Sequence, residues 1–433
     1  MLKFNYQEWL EPHKMKHPQH QKSVNLLCTL LIVSVISGLN FRQILYSATQ
    51  STMLATNTPF FNNAYIIGIT LACDAIGALL ANTFSPALMS RKGTAKSIQY
   101  LIYLSISGDM VTCMGIAMHH FWAVLLGSLC FGMSKSLFTI GFTLAAEQNQ
   151  NKTQAAKSLK RLEIAIGIAT GLLPVISMLF TLNTHQSSWL IYTPFLLILL
   201  INLTSLKLSN TLKTITTSSP KPQNLHFYIR DTHRTLLNIF KTPHAFFNLT
   251  LAWLLFAQTD YLFSISASLL HYWRIPPQHY TAILSTNGLA IGLSACLLMP
   301  QLQNQKRRAT LALSLTWLLA LPSLSIAVFK SSIGLGMFHF VVSICNPVLI
   351  NTLRINIANH SDPAHKRQHL ASFGIAQTTA GIIATIVATL ISHYWPEGAT
   401  LPCMLIMACY LIISQTQRSR RQYPASLKPT QGY

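Results

Sequence analysis

Twelve long apolar runs, separated by shorter polar connections, set the pattern of this chain. A bilayer core about 30 Å thick needs roughly 20 apolar residues per spanning helix, so each run is predicted to cross a membrane. Six lie in the first half: Val24 to Tyr46, Ala64 to Leu88, Ile98 to Met118, Trp122 to Ala145, Leu162 to Leu182 and Trp189 to Leu208. Six follow a polar stretch: Ala245 to Leu270, Tyr280 to Met299, Ala309 to Phe329, Ile333 to Leu353, Leu370 to Ile391 and Ala399 to Ile413. The first run is too long for the apolar core of a signal peptide and lacks a small-residue cleavage site, so it is predicted to stay as a spanning helix.

Composition agrees with this pattern. Of the 433 residues 51% are hydrophobic and only 9% are Asp, Glu, Lys or Arg, against roughly 25% charged in an ordinary soluble domain. A net charge of +21 raises the question of nucleic acid, but such binders gather Lys and Arg on a solvated face or tail. Here the charges form short clusters between apolar runs, which points to a lipid bilayer and to no nucleic-acid partner.

The clusters also test the number of crossings, because Lys and Arg accumulate in cytoplasmic connections. The N-terminal segment, every second connection and the C-terminus hold 4, 3, 4, 6, 3, 3 and 4 basic residues, Lys207 at the end of the sixth run being counted with the connection that follows it. The other connections hold only Arg274 and Lys330. One missed or invented helix would invert the alternation, so both termini are expected in the cytoplasm, in a multi-pass protein of a bacterial inner membrane.

Asn210 to Arg234 is rich in Ser, Thr, Pro and basic residues and divides the spans six and six. The expected organisation is an N-terminal arm (1–23), a first six-helix bundle (24–208), a linker (209–244), a second bundle (245–415) and a basic tail (416–433). Basic clusters recur after the second and fourth helix of each half, which suggests two pseudo-repeats with a substrate site near the midplane between them.

The connection after the second helix reads "PALMSRKGTAK" from Pro86 to Lys96. Together with the twelve helices and the six-plus-six division, it resembles the major facilitator superfamily of secondary transporters, whose motif there runs approximately GxLaDRxGRR. Leu88, Arg91, Gly93 and Lys96 match that gating motif, whereas Pro86 and Ser90 stand where relatives have Gly and Asp. In the fifth helix "GIATGLLP" resembles part of an export-type signature through Gly167, Gly171 and a displaced Pro174. Its other reading is close helix packing through small residues. The resemblance implies an all-α integral membrane fold of the superfamily's type, working by alternating access.

Ionisable groups in hydrocarbon cost at least about 2.5 kcal/mol by insertion scales and usually face a bundle interior or aqueous cavity. In the first half they are Arg42, Asp74, Asp109, Lys135 and Glu163; in the second, Asp260 and His339. At 1.5 Å per residue Arg42 lies about 27 Å from Val24, at a level where it meets Asp74 or snorkels to the outer headgroups. Asp109 and Lys135 fall near mid-membrane, so Arg42, Asp74, Asp109 and Lys135 are expected to line a polar cavity of the first half.

Asp260 has no basic neighbour in its own half, and an unpartnered buried carboxyl is suited to bind and release a proton. It is the expected proton-coupling residue, with His339 either a second one or a hydrogen-bonded core histidine. Glu163, following "KRL", is expected to form an interfacial salt bridge.

Eight cysteines, all within apolar segments, read as small buried hydrophobes. His13, His17 and His20 in the N-terminal arm, and His360, Asp362, His365 and His369 in a connection, read as solvated loops rather than metal sites. No phosphate-binding GxxxxGK[ST] loop occurs, and no paired catalytic residues lie near an interface, so no enzyme activity, cofactor or metal is expected.

The expected function is proton-coupled transport of a small organic solute by a monomer. Arg42 and Lys135 favour an anionic cargo such as a carboxylate metabolite or carboxylate siderophore, and the partial export-type signature tilts the direction outward. The alternatives are a nutrient importer of the amino-acid kind, a multidrug exporter, or a non-transporting sensor or assembly factor that keeps the carrier fold.

Overall fold

The computed structural model of the chain describes residues 18–49, 63–92, 94–118, 120–147, 160–172, 175, 193–210, 242–274, 278–325, 331–360 and 366–422. Among them helices form every long element and no strand occurs, as expected where lipid offers the backbone no hydrogen-bond partners. The first half contains α1 (Pro18–Thr49), α2 (Asn63–Lys92), α3 (Thr94–Ala117), α4 (Phe121–Ser134), α5 (Ser136–Glu147), α6 (160–172) and α7 (Thr193–Ser209). The second contains α8 (Pro243–Tyr272), α9 (Gln278–Leu293), α10 (Gln305–Ser325), α11 (Ser332–His360), α12 (Lys366–Tyr394) and α13 (Leu401–Gln422).

Each of the twelve predicted runs overlaps one of these helices, with α4 and α5 together making one crossing from Phe121 to Phe142. Six described segments are long and apolar enough to cross a membrane, and three shorter apolar ones lie in α1, α2 and α7. The protein is an all-α, twelve-span membrane protein built from two six-helix halves. Residues 1–17 of the N-terminal arm, 211–241 of the linker and 423–433 of the tail fall outside the described residues.

Helix limits differ from the apolar runs because helices continue past the hydrocarbon. Thus α1 starts at Pro18, ahead of Val24, and α11 reaches His360, beyond Leu353. Arg354, expected in a connection, is therefore within a helix. Beyond α9 the same crossing passes through a π turn (Ser294–Leu298) and a 3-10 turn (Met299–Gln303). Widened turns of this kind free backbone groups. Here Ser294 Oγ donates to the Ile344 carbonyl of α11 at 2.9 Å.

Inside each half the packing is apolar. Val24, Leu31, Ile98, Ile102 and Leu137 form the core of the first, and Tyr261, Leu319, Phe338, Cys345 and Val348 belong to that of the second. The Tyr261 hydroxyl is satisfied by donating to the Ala399 carbonyl at 2.6 Å. The outside is apolar too: Trp122, Leu200, Ile333 and Ile412 are all more than 60% exposed, as lipid-facing side chains must be. All eight cysteines are free; Cys28, Cys345 and Cys403 are buried, but Cys296 and Cys409 are exposed, so the expectation of uniform burial is corrected.

In the first half α2 and α3 pack on α4, and α1 packs on α5 and α7; in the second, α8 packs on α11, α12 and α13, and α9 and α10 pack on α11. Across the halves, α12 packs along both α8 and α2. This arrangement sets the candidate site between α2, the α4–α5 junction, α8 and α12.

Candidate functional site

The site begins with a close approach of two backbones. A methyl on Gly77 of α2 would sit 2.3 Å from the Leu129 carbonyl oxygen, and one on Gly132 of α4 would sit 2.0 Å from that of Asp74. Only glycine allows α2 and α4 to touch so closely. Asp74 lies three residues before Gly77, and Lys135 three residues after Gly132, so the contact that needs glycine also brings these two charges together.

Lys135 donates to Asp74 Oδ2 in a partly buried ion pair. Its side chain is 24% exposed, whereas that of Asp74 is 6% exposed. Lys135 occupies the break between α4 and α5, where its N–H bonds the Gly132 carbonyl at 3.0 Å, and its ammonium lies 6.0 Å from the Phe131 ring centre. Asp74 Oδ1 is buried with no hydrogen-bond partner among the described residues.

The second half contributes Asp260, near the middle of α8. Its Oδ2 lies where a methyl on Gly381 of α12 would come within 2.9 Å, so α12 backs the carboxylate closely. Asp260 is linked to the Lys135–Asp74 pair through α12, which packs on both α8 and α2. Asp74, at a level where Arg42 was expected either to meet it or to snorkel to the headgroups, is engaged by Lys135.

Arg42 lies in α1, but its side chain falls outside the described residues, as do those of Leu88 and Arg91 in α2. Gly93 and Pro174 are also outside them, while Lys96 is exposed in the first turn of α3. Asp109 is buried in α3, beside Gly108, whose added methyl would meet the α4 backbone at Phe131 and Gly127.

His339 is buried in α11, with both ring nitrogens satisfied. Asn287 Nδ2 donates to Nδ1 at 3.0 Å, which assigns the proton to Nε2, donating to Ser266 Oγ at 2.6 Å. Ser266 donates onward to the Leu262 carbonyl at 2.5 Å, and Ser343 donates to Asn287 Oδ1 at 3.2 Å. Phe263 meets the ring edge-on at 5.3 Å. This chain of donors suits a neutral histidine that ties α8, α9 and α11 together.

Toward the basic end of the bundle, where the predicted Lys and Arg clusters lie, three contacts between the halves are found among the described residues. Asn82 Nδ2 of α2 donates to the Gly374 carbonyl of α12 at 3.4 Å and accepts from Thr139 of α5 at 3.3 Å. Gly167 and Gly171 of α6 pack on Gly288 and Gly292 of α9, where a methyl on Gly288 would lie 2.0 Å from the Gly171 nitrogen.

The third contact was not visible in sequence. Asn351 Nδ2 of α11 donates to Glu163 Oε1 of α6 at 2.8 Å, while Arg354 Nη1 donates to Asn351 Oδ1 at 3.3 Å. The Arg354 guanidinium also stacks over Phe142 of α5 at 4.9 Å and Phe373 of α12 at 5.5 Å. Glu163 is 5% exposed, so it is a buried partner of the opposite half rather than an interfacial salt bridge to its own KRL cluster. Arg354 escaped notice because it sits just past an apolar run, where a snorkelling arginine is ordinary.

Solved structures share this architecture. The human organic anion transporter MFSD10 (TETRAN) superposes with a TM-score of 0.63 at 13% identity, over 92% of this chain and 99% of that one. The nucleoside transporter NupG gives 0.62 at 15% identity, over 92% and 99%. A D-xylose-proton symporter gives 0.63 at 13% identity, over 91% and 97%. At these identities the likeness is one of fold. No curated protein sequence matches the chain. The sequence profile of the Major Facilitator Superfamily, however, matches residues 30–389, and with the twelve-span, two-half architecture around a charged interface it establishes that the chain belongs to the Major Facilitator Superfamily.

Proposed function

We propose that the protein is a proton-coupled secondary transporter that moves a small organic solute along a path between its two halves, with its basic end in the cytoplasm. One observation carries this reading: the Lys135–Asp74 pair of the first half lies within its spans, Asp260 of the second lies against Gly381 of α12, and α12 packs on both α2 and α8. Asp260 carries the proton, and His339, fully hydrogen-bonded as a neutral ring, holds the second half together. Gly167 and Gly171 serve helix packing, so they lend no support to export over import. An anionic cargo is supported by Arg42 alone, because the charge of Lys135 is met by Asp74.

Comparison of solutes in cells with and without the protein identifies the cargo. Purified protein in liposomes should then accumulate that solute under an imposed pH gradient. Asp260→Asn should lose accumulation while still equilibrating solute down its own gradient. Unchanged accumulation in Asp260→Asn would overturn the assignment of the proton, and the absence of any flux would favour a non-transporting sensor.

A further inference from the structure

At the basic end of the second half α10 begins, at Gln305, and α13 stops, at Gln422, and the two helices pack against each other. The buried positions of each repeat at helical spacing and so draw one inward line. In α10 the line runs through Leu319, Leu315 and Leu311 and ends at Arg308, which is half-buried, whereas its neighbour Arg307 is exposed. In α13 it runs through Met407, Tyr410 and the half-buried Ser414. Four and seven residues beyond Ser414 the same line reaches Arg418 and Arg421, in the last turns. Both lines belong to one apolar core, so the seam between α10 and α13 ends in arginines from both helices.

The helices around this seam supply no counter-ion. Across α8, α10, α11 and α13 the one Asp or Glu is Asp260, 17 residues from the start of α8 at Pro243 and so about 25 Å along the helix from the basic end. The Arg308 guanidinium has neither an ion pair nor a hydrogen bond among the described residues. A guanidinium taken partly out of water without an acceptor is costly, and its planar fork of donors matches the oxygens of a phosphate two at a time.

Further into the bilayer the same two helices turn apolar side chains outward. Trp317 and Leu318 of α10 and Leu405 and Ile412 of α13 are exposed. Anion recognition and contact with hydrocarbon therefore lie on one pair of helices. A lipid with a phosphate anion in its headgroup meets both demands, whereas a soluble phosphate meets only the first.

We propose that the seam between α10 and α13 is a binding site for an anionic phospholipid of the adjoining leaflet, its phosphate held by Arg308, Arg418 and Arg421 and its acyl chains laid along the exposed apolar sides of the two helices. Basic pockets between spanning helices suit such headgroups, while a rim of Lys and Arg alone draws anionic lipid diffusely. What separates this seam from the rim is position: Arg308 is half-buried on the inward line, and Arg307, one residue away, is not. The site is independent of what the protein carries and of how transport is driven.

Native mass spectrometry of the full chain in detergent, titrated with phosphatidylglycerol or with phosphatidylcholine of the same acyl chains, reads the site without any cargo. The first phosphatidylglycerol should be held at least about tenfold more tightly than the first phosphatidylcholine, since each arginine at a charged headgroup contributes about fivefold. Arg308→Gln should lose about fivefold of that preference, and Arg307→Gln, the same change of charge off the inward line, should stay within about twofold of the wild type. Arg418→Gln combined with Arg421→Gln should lose at least as much as Arg308→Gln, which keeps the question answerable if the Arg308 variant does not fold. Inorganic phosphate in millimolar excess should leave the bound lipid in place.

Equal losses from Arg307→Gln and Arg308→Gln would reduce the preference to diffuse attraction by the basic rim and overturn the site, as would a wild type that does not distinguish the two lipids. Displacement of the lipid by inorganic phosphate would make the seam a site for a soluble anion and overturn the lipid as its occupant.

Discussion

Asn351 of α11 donates a 2.8 Å hydrogen bond to the buried carboxylate of Glu163 on α6, joining the two halves at the basic end. Arg354 completes the contact by donating to Asn351, so one amide relays between an acid of one half and a base of the other. Replacing Asn351 by Leu removes a hydrogen bond between membrane helices, worth roughly 0.6–1.7 kcal/mol. The closed arrangement of the basic end should lose about that much, which amounts to a several-fold rise in its open population. Labelling of a cysteine introduced beside the contact, by a reagent applied from that side, measures the rise; an unchanged labelling rate would remove Asn351 from the gate.

Arg354 stacks over Phe142 of the first half and Phe373 of its own. A cation over an aromatic face is worth about 0.5–2 kcal/mol depending on desolvation. In a double-mutant cycle of Arg354→Gln and Phe142→Leu, read by the same labelling, the two changes should be non-additive by about that amount. Strict additivity would mean that the stack does not hold the halves.

Gly288 leaves no room for a side chain, since an added methyl would fall within 2.6 Å of the backbone of Gly171 and Gly167. Gly288→Val should therefore force α6 and α9 apart at about 1–3 kcal/mol, lowering the melting temperature in detergent. Gly292→Ala is the control, because its methyl would meet nothing within 4 Å, and it should melt with the wild type.

His339→Ala strips partners from Asn287 and Ser266, both buried. Its cost should be about 1–3 kcal/mol for each group left unsatisfied, seen as a lower melting temperature, while the pH dependence of solute accumulation stays as in the wild type. A displaced pH profile in a stably folded His339 variant would make the histidine part of the proton path.

Gly381→Ala places a methyl 2.9 Å from Asp260 Oδ2. The neighbour is the end of a side chain, which can turn aside, so the fold should survive. Asp260 should be pushed out of its seat, and proton-driven accumulation should fall while downhill equilibration remains. Wild-type accumulation in this variant would show that the seat of Asp260 against α12 is not needed.

Much of the architecture was legible in the letters. Twelve apolar runs and the alternation of basic clusters lead to a twelve-span helical protein, because hydrocarbon admits only helices that satisfy their own backbone and because apolar length counts crossings without knowledge of neighbours. The same reasoning picked out Asp74, Lys135 and Asp260, since a charge within an apolar run is conspicuous wherever it points. It did not say which charges meet. Lys135 pairs with Asp74 because Gly77 and Gly132 let two backbones touch, and Asp260 is seated against Gly381, 121 positions away in sequence. Glu163, Asn351 and Arg354 were hidden for the same reason: an amide and an arginine at the edge of a span look ordinary until helix packing sets them face to face. Burial of single helices in lipid is a local property written in composition, whereas the partners of a buried charge depend on helix rotation and on how closely helices approach, and these arise only when all the helices pack together.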